Sequence, residues 1–153
     1  MSVESVRNYF LNRGLEDPIF ELKDSGATVE LASETIGVEP ELIAKTLAFR
    51  LKDKDILIVM RGDSRIDNKK FKDYFKVKAK MLQHDEVNEI TGHPVGGVCP
   101  FGLKNELDIY LDISINNFNY VYPAAGSDNV AMKISPQDIE KLTGAKWVDV
   151  CTA

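Results

Sequence analysis

The chain has 153 residues, which is long enough for one domain with a single apolar core. Its composition, 44% hydrophobic and 28% charged, is typical of a globular protein, and no run approaches the ~20 apolar residues that a membrane span needs. The opening sequence MSVESVRNYF lacks the apolar run of a signal peptide, so we expect a cytoplasmic protein with one domain over residues 1–153.

The two cysteines and the net charge narrow the class of protein further. Cys99 and Cys151 share no CxxC spacing and have no nearby histidine pair, so we expect neither a zinc site nor, in a reducing cytosol, a disulfide. The formal net charge of -5 argues against general nucleic-acid binding, but residues 65–80 hold seven Lys or Arg and two Asp. This basic segment either attracts a phosphate backbone locally or forms a solvated helix face.

Capping residues predict six helices along the chain. A polar residue or a proline stands where each helix would begin: Ser2, Thr28, Pro40, Asp67, Asp85 and Ser135. A glycine is expected to end four of them: Gly14, Gly37, Gly92 and Gly144. The helix from Pro40 is short and is expected to reach Ala44. At the helix from Asp67, Ile66 and Phe71 are expected to form a hydrophobic staple around the cap.

Short apolar runs between these helices predict seven strands. In chain order the runs are Ile19–Leu22, Thr46–Leu51, Ile56–Met60, Leu107–Ile113, Tyr120–Tyr122, Val130–Ile134 and Trp147–Val150. The polar residues 52–55 predict a hairpin turn, and the alternation of apolar and polar residues over 107–113 predicts a half-buried strand. Because helices and strands mix without regular βαβ alternation, we expect an α+β fold with a curled, mostly antiparallel sheet.

The segment Thr91–Leu103, TGHPVGGVCPFGL, has the composition of an irregular loop. Four glycines and two prolines are incompatible with a regular helix or a central strand. Adjacent glycines at Gly96 and Gly97 allow consecutive N–H groups to form a concave nest for an anion, which is what a developing oxyanion in ester hydrolysis requires. The alternative is a tight connection between a helix and a strand.

Three further features are candidates for a site. Lys45 lies among apolar residues in AKTLAF, and it either binds an anion from a partly desolvated position or extends to solvent from a strand end. Cys99 and His93, six residues apart, form either a nucleophile–base pair or an unreactive loop cysteine with a solvent-facing histidine. Polar residues in AAGSDN either contact a substrate amine or hydroxyl or form a turn: Ser127, Asp128 and Asn129.

Four segments taken together resemble the YbaK/EbsC family, which includes the editing domain inserted in bacterial prolyl-tRNA synthetases and its free-standing relatives. In order they are AKTLAFR, ILIVMRGDSRID, GHPVGGVCPFGL and AAGSDNVAMKISPQDIEKLTGAKWVDV. The resemblance covers nearly the whole chain and is strongest at the Lys of AKT and at the G-x-x-x-P loop, Gly96–Pro100. It implies an α+β domain in which a curved mixed sheet, resembling a partial barrel, is packed by helices.

The resemblance also implies an activity, namely hydrolysis of a small amino acid such as Ala, Ser or Cys from the 3′ end of a mischarged tRNA. Lys45 corresponds to the lysine with which the family holds the terminal nucleotide and the ester. Main-chain N–H groups of Gly96 and Gly97 would bind the carbonyl oxygen, and water would attack with help from a ribose hydroxyl. Further substrate contacts are expected at Val98, Cys99, Pro100, Ser127, Asp128 and Asn129.

The same resemblance implies the partners. They are the aminoacylated 3′ end of tRNA and, as a further candidate, prolyl-tRNA synthetase, with no membrane, metal or cofactor. Two alternatives remain open. One is a non-catalytic module that binds tRNA or a synthetase, and the other is a regulatory protein of the same fold.

Overall fold

The computed structural model describes residues 2–152. Its helices are α1 (Ser2–Leu11), α2 (Val29–Ile36), α3 (Asn68–Phe75), α4 (His84–Thr91) and α5 (Pro136–Thr143), and 3-10 turns occur at Pro40–Leu42 and Ile113–Ile115. Its strands are β1 (Ile19–Glu21), β2 (Ile43–Arg50), β3 (Asp55–Arg61), β4 (Asp108–Asp112), β5 (Tyr122–Pro123), β6 (Val130–Met132) and β7 (Lys146–Val148). Within the described residues, no helix is long and apolar enough to cross a membrane.

Side-chain caps begin three of the helices as predicted. Thr28, Asp67 and Ser135 each accept a hydrogen bond from main-chain N–H groups in the first turn of α2, α3 and α5. Gly37 and Gly144 follow α2 and α5 in the left-handed conformation and end them. These local signals need no tertiary context, because an unpaired N–H at a helix start is satisfied by the nearest side-chain oxygen.

Several of the predicted helix boundaries are wrong. Ser2 lies inside α1 and its hydroxyl bonds to His93, and α1 ends at Leu11, before Gly14. The N-cap of α4 is Gln83, so Asp85 lies inside the first turn and does not cap the helix. The helix expected from Pro40 to Ala44 is a single 3-10 turn, because Ala44 already belongs to β2 and pairs with β3. Because β2 pairs with its neighbours from Ile43 onward, the strand includes residues that local propensity assigns to the helix.

The strands form a mixed five-stranded sheet in the order β5-β2-β3-β4-β7 and a two-stranded sheet of β1 and β6. The predicted hairpin of β2 and β3 is antiparallel, with paired residues from Ala44↔Arg61 to Arg50↔Asp55. The pairs β2–β5, β3–β4 and β4–β7 are parallel, so the main sheet is more parallel than predicted. Parallel pairing follows because α3 and α4 carry the chain across from β3 to β4.

Isolated antiparallel bridges join the two sheets. Val121 pairs with Ile134, and Ala124 pairs with Ala131, so that the chain around β5 contacts both sheets. The strands therefore curve around part of the core without closing into a barrel, as the family resemblance implied.

The centre of the main sheet is buried on both faces. Every residue from Ile56 to Met60 in β3 is fully buried. The half-buried pattern predicted for residues 107–113 is wrong, because Tyr110 and Asp112, on the supposedly exposed face, are also buried. Asp112 is 1% exposed and accepts hydrogen bonds from the main-chain N–H groups of Ser114 and Val150.

A buried histidine ties α1 to the glycine-rich loop. His93, for which the sequence allows either a role as a base or a solvent-facing position, is 0% exposed. Its Nε2 donates to the carbonyl oxygen of Phe101 at 2.7 Å, since a carbonyl can only accept. Its Nδ1 therefore accepts from the Ser2 hydroxyl at 2.5 Å. Burial lowers the pKa of His93, because the apolar surroundings disfavour the imidazolium ion.

We expect this histidine to make the stability of the fold depend on pH. The unfolded chain binds a proton at His93 near the ordinary pKa of 6.5, whereas the folded chain binds it only at lower pH. The free energy of unfolding should therefore be maximal above pH 6.5 and fall below it, by at most about 1.4 kcal/mol per pH unit for this one proton. Urea unfolding between pH 7.5 and pH 5 measures this slope.

The matched variant is His93→Gln, which should be less stable at pH 7.5 but lose the slope over that range. The pKa of Glu86 is lowered from 4.5 by the hydrogen bond from Arg50, so its contribution to stability is lost as the pH falls through 4.5 and below. An unchanged slope in His93→Gln would show that another group carries the pH dependence.

Candidate active site

A cavity of about 310 Å³ lies at the edge of the main sheet, where β2, the start of α2, α4 and the glycine-rich loop meet. Most of its wall is apolar. The polar side chains along it are Thr28, Lys45, Thr46, His84 and Tyr122. No carboxylate of residues 2–152 lines this cavity, which leaves Lys45 as its cation.

Strand β2 places Lys45 at the wall of this cavity. The residue lies opposite Met60 of β3 and is half-buried. Its Nζ donates to the carbonyl oxygen of Ser64 at 2.6 Å, so two of its three N–H donors remain for a ligand. Burial lowers the pKa of Lys45, and the nearby Cys151 and acidic groups such as Asp63 act in the opposite direction. The result is a weakly hydrated cation held in place beside an apolar space.

The two adjacent glycines of the loop have different surroundings. Gly96 lines the cavity with φ +92, and its N–H bonds to no acceptor within residues 2–152. The N–H of Gly97 already donates to the carbonyl oxygen of Pro94 at 2.9 Å. A Cβ on Gly97 would lie 2.5 Å from the main-chain nitrogen of Ser127, so glycine is required for close packing of the two loops. Gly96 thus faces the cavity, and Gly97 packs against the neighbouring loop.

The other loop residues expected to contact substrate divide in the same way. Val98 lines the cavity. Cys99 and Pro100 are buried and lie outside its lining. The Cys99 thiol donates to the carbonyl oxygen of Phe101 at 3.6 Å, and burial raises its pKa to about 12. The nearby Nε2 of His93 is itself a donor to that carbonyl, so it is not available as a base for the thiol.

Residues 127–129 lie behind the cavity wall, whereas Ala124 at the start of the same loop lines it. The hydroxyl of Ser127 bonds to the side-chain amide of Asn129. The carbonyl oxygens of Asp128 and Asn129 accept from the N–H groups of Gly26 and Leu22, two residues of the cavity wall. Ser127, Asp128 and Asn129 do not themselves line the cavity, so the structure places them one layer further from a ligand than expected.

Several wall residues had no distinguishing signal in the sequence. They include Met81, His84 and Tyr122, which come from three separate segments. Met81 is a large apolar residue with 54% of its surface exposed, and such exposure becomes visible only in the folded chain. Among residues 2–152, no group of three or more His, Cys, Asp or Glu is placed to hold a metal ion.

Comparison with known proteins identifies the family. A family model described as the aminoacyl-tRNA editing domain matches residues 23–142. The chain belongs to this family. The matched region contains all the candidate site residues, from Lys45 to Asn129, and it confirms the resemblance noted in the sequence.

This chain is similar to proteins known from their sequences and to proteins of solved structure. The uncharacterised protein YwhH of Bacillus subtilis is 48% identical over 153 residues, covering 99% of this chain and 98% of its own. EbsC of Enterococcus faecalis, whose name proposes a Cys-tRNA(Pro)/Cys-tRNA(Cys) deacylase, is 26% identical over 87% of this chain and 82% of its own. A crystal structure of a protein proposed as a trans-editing enzyme for prolyl-tRNA synthetase matches with TM-score 0.89 and 28% identity, covering 99% of this chain and 98% of that one. These relatives support a deacylase role and confirm the fold.

The surroundings of Cys99 generate a prediction for this family member. We expect Cys99→Ser to hydrolyse aminoacyl-tRNA at the wild-type rate, because a buried thiol with raised pKa provides no thiolate at neutral pH. Cys151→Ser, at the other buried cysteine, is the control for the general effect of placing a hydroxyl in the core. Single-turnover hydrolysis is measured for both variants after far-UV circular dichroism has verified folding. Loss of activity in a folded Cys99→Ser protein, with Cys151→Ser active, would assign a chemical role to the thiol.

Proposed function

We propose that this protein is a trans-editing hydrolase that deacylates mischarged tRNA carrying a small amino acid such as Ala, Ser or Cys. The observation that carries the proposal is that Lys45 and Gly96, from segments about fifty residues apart, line one apolar cavity. Membership of the aminoacyl-tRNA editing domain family supports the same reaction. The apolar wall without carboxylates suits a small, uncharged amino-acid side chain.

The mechanism follows from what each group offers. Lys45, with two free N–H donors, holds the terminal nucleotide and the ester. The free N–H of Gly96 stabilises the oxyanion that forms when water attacks the ester carbonyl. A ribose hydroxyl of the substrate assists the water, so that no side-chain nucleophile is required. Gly97 is not assigned a donor role, because its N–H is occupied by Pro94.

Selection of the amino acid rests on the size of the cavity. A hydrophobic wall discriminates one methylene by only ~1–3 kcal/mol, so a narrow site separates neighbouring amino acids by about one or two orders of magnitude. A free-standing editing enzyme acting after a synthetase needs no larger factor, since the synthetase has already selected once. We infer that tRNA is the macromolecular partner and that prolyl-tRNA synthetase supplies the mischarged species.

The basic segment 65–80 leads towards the cavity. Two of its lysines, Lys69 and Lys70, form ion pairs with Asp73 and Asp149. Four others are exposed and form no ion pair with any residue of 2–152: Lys72, Lys76, Lys78 and Lys80. The next residue after this segment, Met81, pairs with Phe49 of β2 and lines the cavity. We infer that these four lysines hold phosphates of the acceptor end as it enters the site.

The primary test is deacylation by wild-type protein and by Lys45→Ala. The purified protein is incubated with tRNAs charged with Ala, Ser, Cys, Thr or Pro, and loss of the ester is followed. We expect rapid loss of one or two species with wild type and a decrease of at least about a hundredfold with Lys45→Ala, because the ester loses its positioning group.

The matched control is Lys52→Ala, which removes an exposed lysine from the turn after β2. It should retain the wild-type rate, and both variants should show wild-type circular dichroism. If no species is hydrolysed by folded wild-type protein that still binds tRNA, the non-catalytic binding module replaces this proposal.

A second prediction concerns salt. We expect the double variant Lys78→Ala/Lys80→Ala to weaken deacylation and to lower the slope of log(kcat/KM) against log[salt] by about 0.7–0.9 for each phosphate that the variant no longer neutralises. The control is Lys69→Ala/Lys70→Ala, which changes net charge equally but removes lysines that already form ion pairs. Equal effects of the two double variants would mean that overall charge, and not a defined phosphate track, governs tRNA binding.

A further inference from the structure

The face of the β5 segment that lines the cavity continues beyond it onto the surface of the protein. Tyr122 and Ala124 line the cavity. Val121 and Pro123, which alternate with them, are buried. Because successive side chains of an extended chain point to opposite faces, Tyr120 lies on the same face as Tyr122. Tyr120 is 51% exposed, so this face carries an aromatic ring into solvent next to the cavity.

Lys133 lies beside these two tyrosines. The isolated antiparallel bridges that join the two sheets set a register in which Lys133 is opposite Tyr122. Its Nζ lies over the ring of Tyr120, 4.7 Å from the centroid. Lys133 is exposed and forms no ion pair with any residue of 2–152. Since a cation–π contact at an exposed site is weak, the ammonium group remains available to an anion.

Phe20 continues this face on the side of β1. It is opposite Ala131 in the β1–β6 pair, and Ala131 belongs to the cavity wall. The rings of Phe20 and Tyr122 meet edge to face, with their centroids 6.5 Å apart. We call these four residues the aromatic strip: Phe20, Tyr120, Tyr122 and Lys133. The aromatic strip thus joins three rings and one exposed lysine to the wall of the cavity.

This combination of side chains suits a single-stranded nucleic acid. Bases stack on exposed aromatic rings, and a lysine beside the rings neutralises a phosphate of the same strand. Tyr120 keeps half of its surface exposed although Lys133 lies over one face, so a base can stack on the ring. In a protein–protein interface, by contrast, lysine is depleted. The composition of the aromatic strip therefore favours RNA over a protein partner.

We propose that the aromatic strip binds the unpaired nucleotides that precede the terminal nucleotide of the tRNA substrate, with a base stacked on Tyr120 and a phosphate held by Lys133. This inference rests on the proposed deacylase function and specifies the path of the RNA outside the cavity. An ester in the cavity is covalently joined to the RNA, so the preceding nucleotides leave through its opening, and the aromatic strip is continuous with its wall. The lysine segment 65–80 reaches the cavity near the other end of β2, where Arg50 N–H donates to the Lys80 carbonyl oxygen.

The test compares two substrates that carry the same ester. One is the aminoacyl-tRNA that wild-type protein hydrolyses fastest in the panel of Ala, Ser and Cys species. The other is the same amino acid esterified to adenosine, which has no preceding nucleotide. We expect Tyr120→Ala to lower kcat/KM about tenfold for aminoacyl-tRNA, because one stacked base is lost, and to leave kcat/KM for the adenosine ester unchanged. Tyr120→Phe, which keeps the ring, should retain the wild-type values for both.

Lys133→Gln tests the phosphate contact separately. It should lower the slope of log(kcat/KM) for aminoacyl-tRNA against log[salt] by about 0.7, the value for one phosphate of a single strand. The control is Lys146→Gln, which removes an exposed lysine from β7 at the opposite edge of the main sheet. This control changes the net charge equally and should keep the wild-type slope.

A wild-type kcat/KM for aminoacyl-tRNA in Tyr120→Ala would overturn this inference, as would equal salt slopes in Lys133→Gln and Lys146→Gln. An equal loss with both substrates in Tyr120→Ala would also contradict it, because the change would then act inside the cavity and not on the preceding nucleotides. If wild-type protein hydrolyses no species, the deacylase function itself fails. The affinity for uncharged tRNA, measured by fluorescence anisotropy, then tests the aromatic strip alone: Tyr120→Ala should raise Kd about tenfold, and an unchanged Kd would rule out the RNA contact.

Discussion

The antiparallel pairing of β2 with β3 is the constraint on which the rest of this structure depends. β3 is buried on both faces, and the paired residues from Ala44↔Arg61 to Arg50↔Asp55 fix the register of β2 against it. A slip of one residue would exchange the faces of Lys45 and Thr46 and would place a charge where an apolar side chain packs. The register of a buried hairpin thus determines which polar groups reach the cavity.

A second layer of main-chain hydrogen bonds supports the cavity wall. Gly126 N–H donates to the Gly97 carbonyl oxygen at 2.9 Å. The carbonyl oxygens of Asp128 and Asn129 accept from the N–H groups of Gly26 and Leu22. On the far side, His93 connects the glycine-rich loop to α1. A loop with four glycines loses much conformational entropy on ordering, and these bonds offset that loss. An oxyanion donor is effective only if it is held in place before the reaction.

Two features carry the positive charge that matters for the proposed function: Lys45 in the cavity wall and the lysines of the surface segment 65–80. The chain is acidic overall, yet six of its lysines lie in residues 69–80, so under the proposed function attraction of tRNA is local. Under the proposed function, half-burial of Lys45 strengthens its interaction with the substrate, because less water screens the charge. An uncharged wall around it avoids neutralising the lysine before the substrate arrives.

The sequence by itself determined the elements whose causes are local. Thr28, Asp67 and Ser135 cap their helices because the partner N–H groups are two or three residues away, and the polar turn between β2 and β3 predicts their hairpin. It also identified the family, since four motifs in order are specific even where each alone is not. The candidate lysine and glycine could therefore be named in advance, by resemblance.

Only the tertiary structure decided which of the named residues reach the cavity. Gly96 and Gly97 are equivalent in the sequence, but within the described chain one N–H bonds to Pro94 and the other has no acceptor. Burial of Cys99, and of Asp112 on a strand that alternates apolar and polar residues, follows from elements packed on both sides of them. The outer edge of β2 pairs with β5 only at Ile43 and Ala44, because β5 is only two residues long. These are properties of contacts between distant segments, which periodicity and local propensity do not encode.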